Sequence, residues 1–264
     1  MKKSILILVL IILINLFLFW YILDNLTSES FVSFLDIGQG SSVLIFNPKL
    51  KILYDIGPYG LKTISELNKL TKFYNRTIDI IIISHPDKDH YGAIFDILER
   101  YKVRLIIVNP YISQESGYLS FLNLVQKKNI PLISLKEKDY LESNFEKLLI
   151  IHPDKQYKND NQNSLVIELL KNNKKFLLTG DIDQKIENHL LSKYGTKIKS
   201  DYLLIPHHGS KYSSNKYFLA NFNYAVIQVG ENRYNHPHQE VILRLKELKI
   251  PYWRTDLNGT FVVK

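Results

Sequence analysis

Between Ile5 and Ile22 the chain carries no charged residue, and Asn15 is the single polar interruption. As a helix these 18 residues reach roughly 27 Å at about 1.5 Å per residue, close to the ~30 Å of a bilayer's hydrocarbon core. Nothing polar marks an outward face from Ile5 to Leu13, which argues against a buried core helix. A cleaved signal peptide shares the basic start and apolar centre. Its apolar part is usually shorter, however, and DNLTSES after Ile22 offers no A-x-A-like pair. The run therefore predicts an uncleaved anchor at residues 1–23, a linker at 24–30 and a folded domain at 31–264. Lys2 and Lys3 favour a cytoplasmic N-terminus and Trp20 and Tyr21 an interfacial far end. The expected location is the cell membrane, single-pass with the domain outside; a secreted protein is the alternative.

The chain has 264 residues and a formal charge of +8. The first thirty residues hold Lys2 and Lys3 against Asp24 and Glu29, so the whole excess belongs to the domain. A basic surface suits anionic partners, though solvated lysine is the plain alternative. With Cys 0, a disulfide framework, a thiolate metal site and a cysteine nucleophile are excluded. Any metal must sit on nitrogen and oxygen.

From Phe31 short apolar runs alternate with amphipathic stretches. FVSFLDI, SVLIF and KILYDIG read as an antiparallel meander, followed by a helix over Leu61–Phe73, the buried strand IDIIIIS, a helix over Tyr91–Tyr101, the strand RLIIV and a helix over Tyr118–Lys127. The second half repeats the style. LLII, SLVIELL and KFLLTG read as strands, then come a helix over Gln184–Lys193, YLLIP, a short helix near Tyr217, YAVIQVG, a helix over Gln239–Leu248, and strands at PYWR and TFVV. The order is α/β, in one domain of two sheets faced by helices.

Ligand-capable residues gather where these strands end, the usual place for sites in α/β folds. SHPDKDHYG puts His85, Asp87, Asp89 and His90 directly after IDIIIIS. Four nitrogen and oxygen donors on one loop suit neighbouring metal ions, whereas the plain alternative makes Asp89 a cap for the following helix. LLTGD ends a strand on Asp181, IPHHGS ends another on His207 and His208, and NHPH places His236 and His238 after YAVIQVG. Six of the eight histidines fall in such strand-end motifs.

Taken in order, FLDIGQGSS, ILYDIG, SHPDKDHYGA, NQNSLVIEL, FLLTGDID, LLIPHHGSKYS and NRYNHPHQEVILRL followed by YWRTDLNGTFVV resemble the segments of the metallo-β-lactamase fold. Within it they resemble the hydrolase domain of ComEC-type DNA-uptake (competence) proteins. The resemblance covers Phe31 to Lys264 and implies an αββα sandwich of two mixed sheets behind the N-terminal transmembrane helix. It implies that His85 and Asp87 ligate a first metal and Asp89 and His90 a second, with Asp181 bridging and His208, or His207 in its place, completing the second site. Asn163 stands where many members have a further histidine ligand, and Ser41 replaces an acidic residue common after Gly-Gln-Gly. Asp87, in place of a second histidine, makes the donor set harder, so Zn2+ or Mn2+ are the expected ions. Asp89 and His236 are the expected catalytic side chains and Lys211 a substrate contact. His152 and the Arg254-Thr255-Asp256 turn read as structural.

The resemblance thus implies a metal-dependent hydrolase acting on phosphodiesters, with DNA favoured, through water activated by two metal ions. Membrane attachment runs through residues 5–22, and a DNA-uptake machinery is the expected partner. The alternatives are hydrolysis of a small extracellular ester or cell-wall phosphodiester, and a non-catalytic DNA-binding module with a degraded metal site.

Overall fold

The computed structural model describes residues 2–26, 29–72, 74–144 and 146–264. Among them, helix α1 (Lys2–Leu26) contains the single stretch long and apolar enough to cross a membrane, Lys3–Ile22. Residues 27 and 28 of the expected linker, and Phe73 at the expected end of a helix, lie outside the described residues.

The first half runs β1 (Phe31–Phe34), β2 (Val43–Asn47), β3 (Leu50–Tyr54), α2 (Gly60–Leu70), β4 (Thr77–Ile82), α3 (Lys88–Tyr91), α4 (Ile94–Arg100), β5 (Lys102–Val108), α5 (Ser116–Lys127), β6 (Leu132–Ser134) and β7 (Tyr140–Glu142). The second runs β8 (Glu146–His152), β9 (Val166–Lys171), β10 (Lys174–Leu178), α6 (Gln184–Tyr194), β11 (Ser200–Leu204), α7 (Lys216–Leu219), β12 (Phe222–Ile227), α8 (Gln239–Glu247), β13 (Tyr252–Arg254), α9 (Thr255–Asn258) and β14 (Phe261–Val263). One sheet has the order β14-β1-β2-β3-β4-β5-β6 and the other β13-β12-β11-β10-β9-β8-β7. The β1-β2-β3 meander is antiparallel, as its turns predict, and β3 through β6 are parallel. The second sheet pairs β7, β8, β9 and β10 antiparallel and β10 through β13 parallel.

Apolar burial fixes the layers. Phe34, Ile45, Ile52, Ile150, Ile167 and Phe176 fill the space between the sheets. The opposite faces of the same strands pack under helices: Leu53, Ile81 and Ile106 beneath α2, α4 and α5, and Leu177, Leu203 and Ala225 beneath α6 and α8. Strands buried on both faces need continuous apolar runs, which is why IDIIII and YLLI carry no alternation. Truncating such a side chain to Ala costs about 2–5 kcal/mol.

Two expectations are corrected here. The helix expected over Tyr91–Tyr101 is two short helices, because the Ala93 N–H donates to the Gly57 carbonyl at 2.8 Å while the Asp89 carbonyl it would meet in a continuous helix accepts from the Ser41 N–H at 3.2 Å. Asp89 caps nothing; it sits inside α3, and the cap position belongs to Asp87, whose side chain makes no capping bond. The edge strands β6 and β7 escaped sequence reading, since LIS and YLE are too short to show a period.

Candidate metal centre

All parallel strands end on the same side, and the two sheets meet there across a cluster of histidines and carboxylates. The loop after β4 supplies His85, Asp87, Asp89 and His90, the turn after β10 supplies Asp181, and the turn after β11 supplies His207 and His208. His85, His90 and Asp181 are buried and hold potential ligand atoms within 4.8 Å of one another; Asp89, His90 and His208 form a second such group. His90 belongs to both.

Local backbone geometry aims these side chains. Gly180, at φ +56°, turns the chain so tightly that a Cβ would lie 2.8 Å from that of Ser164, and the Asp181 N–H donates to Ser164 Oγ at 3.1 Å. His207 and His208 both adopt left-handed φ of 52° and 53°. Such a conformation costs a non-glycine residue about 1–2 kcal/mol, which packing must offset. The turn closes on Gly209, φ +84°, where a Cβ would stand 2.6 Å from Pro237.

Second partners fix the imidazole tautomers. His208 Nδ1 lies 3.0 Å from the Gln228 carbonyl, which only accepts. His90 Nδ1 lies 2.8 Å from Asp55 Oδ2. Ser84 Oγ donates to Asp55 Oδ2 at 2.9 Å, so it accepts from His85 Nδ1, also 2.9 Å away. In all three rings Nδ1 carries the proton and Nε2 faces the cluster, the arrangement that presents a lone pair to a cation. Asp55 and Ser84 thus orient both histidines of the β4 loop.

Burial pushes the Asp181 carboxyl up, but His90, His208 and His207 hold it well below the usual carboxylate range. Burial likewise opposes ionisation of Asp89, and its bond to His208 Nε2 at 3.1 Å, with His90 nearby, keeps it ionised. Burial alone would lower His90 and His208; Asp181 with Asp55 raises the first, and Asp181 with Asp89 the second. Burial lowers His207 against the pull of Asp181. Buried carboxylates of this kind require cationic company, from imidazolium protons or from a metal. His85 Nε2, His90 Nε2 and Asp181 Oδ1 are buried and find no partner outside the cluster, the last two facing each other at 3.2 Å. Three convergent donors left over after every second partner is satisfied fit a divalent cation with nitrogen and oxygen ligands.

The other expected residues fall around this cluster. Asp87 Oδ2 stands 3.5 Å from His85 Nε2 on a half-exposed side chain. His207 Nε2 and His208 Nε2 each lie 3.7 Å from Asp181 Oδ2. Asn163 is not brought into the cluster: its amide accepts from the Tyr157 N–H and donates to the carbonyls of Tyr157 and Asn159. His236 packs its ring 5.5 Å from that of His207, with Nδ1 buried and unpartnered, and burial beside His207 pushes it down to about 4. Lys211 is exposed, its ammonium 4.9 Å over the Tyr212 ring. Tyr212 lines a cavity of about 410 Å³ with Asp181 and His207. A larger one, about 750 Å³, opens on Asp89 between Gly38, Lys88, Arg233 and Tyr234. Ser41 donates its N–H to the Asp89 carbonyl at 3.2 Å, bracing the metal loop through backbone. His238 caps α8, and His152 donates Nε2–H to the Gln162 carbonyl at 2.7 Å.

Sequence reading missed Asp55, Ser84 and Gln228. Asp55 carried a usable signal, a carboxylate ending the buried strand KILY, the same placement that singled out Asp181. Gln228 carried none.

The sequence profile of the Metallo-beta-lactamase superfamily matches residues 35–251. The chain is similar to ComE operon protein 3 of Bacillus subtilis (strain 168), at 29% identity covering 91% of this chain and 34% of the relative. It is also similar to Competence protein ComA of Neisseria gonorrhoeae, at 30% identity covering 88% of this chain and 32% of the relative. It spans about a third of the length of these curated relatives. Among solved structures it is similar to the metallo-beta-lactamase fold protein YhfI from Bacillus subtilis, with TM-score 0.59 and 11% identity over 89% of this chain and 99% of that one. CmlA, a diiron beta-hydroxylase from Streptomyces venezuelae, gives TM-score 0.55 at 11% identity, over 90% of this chain and 54% of that one. At such identities the likeness is one of fold.

Proposed function

The chain belongs to the metallo-beta-lactamase superfamily, and from that premise we propose that it is a membrane-anchored hydrolase of phosphodiesters, with DNA the favoured substrate. The observation that carries this reading is the set of buried, unpartnered donors on His85, His90 and Asp181 beside the Asp89–His208 pair. Its relatives include a protein named for competence, and its domain carries the whole +8.

In this reading His85, Asp87, Asp89, His90, Asp181 and His208 hold two divalent ions, Zn2+ or Mn2+, with His207 beside them. Bound there, the ions would supply Lewis-acid charge and an activated water. The chain's own residues then do the rest. Asp89 stays ionised at the mouth of the 750 Å³ cavity, through which a phosphodiester enters. His236, neutral at physiological pH, meets a phosphate oxygen as an N–H donor rather than as an imidazolium. Lys211 flanks the cavity beyond Asp181 as a counter-charge. The domain works outside the membrane, with α1 as its single span.

A second reading has one observation behind it. Asn163 is taken up by its own loop, and the two groups of ligand atoms share His90, which suits one ion in a non-catalytic DNA-binding module. The test is metal stoichiometry of the full chain together with hydrolysis of single-stranded DNA, double-stranded DNA and a small chromogenic phosphodiester. Two ions and cleavage that disappears in Asp89→Ala and Asp181→Ala support the hydrolase. One ion with DNA bound but uncut supports the second reading, and no metal uptake from zinc or manganese removes both.

A further inference from the structure

The end of the sandwich opposite the metal centre carries a second concentration of charge. There the parallel strands begin, the β2–β3 and β9–β10 turns lie, and the chain enters the domain at Phe31. Lys49, Arg76, Lys102, Lys174, Lys197 and Lys199 occupy these turns and strand starts, one set from each sheet. The two bases adjoin: the Asn172 side chain donates to the Ser30 carbonyl at 2.9 Å, and Asn47 donates to Glu146 at 2.9 Å across the sheets. Among the described residues Arg76, Lys102, Lys197 and Lys199 have no carboxylate within ion-pair distance, and all four are exposed. Lys102, Arg104 and Lys128 border a cavity of about 470 Å³. Ion pairs occur at both ends, Arg104 with Asp79 and Lys175 with Glu168 at the base, Lys62 with Asp36 and Arg254 with Asp256 at the metal end.

Chain length ties this basic face to the bilayer. Helix α1 runs to Leu26 and β1 starts at Phe31, and five residue steps at about 3.3–3.6 Å span roughly 18 Å at most. With α1 in the membrane, the base is held beside the headgroups, and the strands carry the metal centre to the far side.

We propose that the basic base of the sandwich, formed by Arg76, Lys102, Lys197, Lys199 and their neighbours, is a docking surface for anionic phospholipid headgroups. It holds the domain upright with the metal centre facing away from the membrane. The proposal rests on the anchoring part of the reading above and is independent of the chemistry at the metal centre. It gives the +8 a use other than substrate attraction.

The chain has no cysteine, so Thr196→Cys at the base and Ile112→Cys at the metal end each accept one fluorophore. The full chain is reconstituted in vesicles of phosphatidylcholine, with or without phosphatidylglycerol, bearing headgroup acceptors. Energy transfer from position 196 should exceed that from 112 and rise with phosphatidylglycerol. That rise should vanish near 1 M salt, where charges are screened within about 3 Å. The triple variant Lys102→Glu, Lys197→Glu, Lys199→Glu should lose the lipid dependence while binding metal as before. Equal transfer from both positions, or transfer indifferent to lipid charge, overturns the proposal. So does a triple variant that loses affinity for an oligonucleotide with its lipid response intact, which makes the face a nucleic-acid surface. Carbonate extraction separates the premises: an extractable chain removes the anchor and this proposal with it, whereas an inserted chain with equidistant labels removes the proposal alone.

Discussion

Where β3, β4, β10 and β11 finish, titratable side chains are buried, converge and leave donors over; at the starting end the buried ones, Lys51 on the Asn75 carbonyl and Lys171 on Glu146, each have a partner, and Arg76, Lys102, Lys197 and Lys199 are exposed. The finishing end concentrates Asp55, His85, His90, Asp181 and His208, all nearly inaccessible, in bonds that leave particular atoms over. The starting end displays Arg76, Lys102, Lys197 and Lys199 to water beside paired cations such as Lys175 on Glu168 and Arg104 on Asp79. The same sheets produce both, because a parallel strand delivers its C-terminal loops to one side and its entry turns to the other. Burial makes the difference in kind. At the first end each charge is fixed by a geometric partner and removing one exposes the rest, whereas at the second the charges act as a smeared field that salt can screen.

The contrast can be broken at its strongest point by Asp181→Ala. It removes the carboxylate shared by His85, His90, His207 and His208, and metal affinity measured by competition with a chelating dye should fall by at least about a hundredfold, the upper range seen for lesser, outer partners. Asp55→Asn should come next. Asn tolerates the left-handed φ of 56° at this position, so the fold persists, but the amide no longer offers His90 and Ser84 a charged acceptor. A loss of about 10–100-fold in metal affinity is expected, with far-ultraviolet circular dichroism unchanged.

Acidity sharpens the same contrast. His90 and His208 are held above their ordinary values without metal, so a metal must displace protons there. Titration calorimetry in buffers of different ionisation enthalpy should show proton release on binding, with affinity rising as pH rises; an affinity flat between pH 5 and 8 contradicts the protonation of His90 and His208 by their buried carboxylates. His152, buried at the same end, is pushed down to about 4 by burial. Its folded value lies below its unfolded one, so its contribution is complete above about pH 6.5 and is lost as pH falls toward 4. That difference corresponds to roughly 3 kcal/mol of unfolding free energy, and urea titrations across this window measure it. At the basic end effects shrink: Lys197→Glu with Lys199→Glu should change folding stability by less than about 0.5 kcal/mol and leave metal affinity untouched.

Legibility in the sequence follows the same division. Strands buried on both faces, such as IDIIIIS and YLLIP, announce themselves as unbroken apolar runs, and they locate the loops that end on His85, Asp181 and His208. Helix breaks do not announce themselves: α3 and α4 part because the Ala93 N–H bonds the Gly57 carbonyl and the Asp89 carbonyl accepts from Ser41, both partners far away in sequence. The Nε2 orientation of His208 depends on the backbone of Gln228, and the amide of Asn163 on the path of residues 157–159. Which donors converge, and which are diverted, is settled by contacts between separate segments. The polarity of charge was equally hidden, since lysines at turns and strand starts are scattered along the chain and gather only when the sheets align.

Whether the centre holds metal and acts on phosphodiesters, as proposed, decides the rest. The direct measurement is metal content of the full chain by mass spectrometry under native conditions, paired with cleavage of a chromogenic phosphodiester by the same sample. Two divalent ions per chain and metal-dependent cleavage, both abolished by Asp181→Ala, are the expected result. A chain that stays folded and binds no zinc or manganese, or binds them equally well after Asp181→Ala, contradicts it.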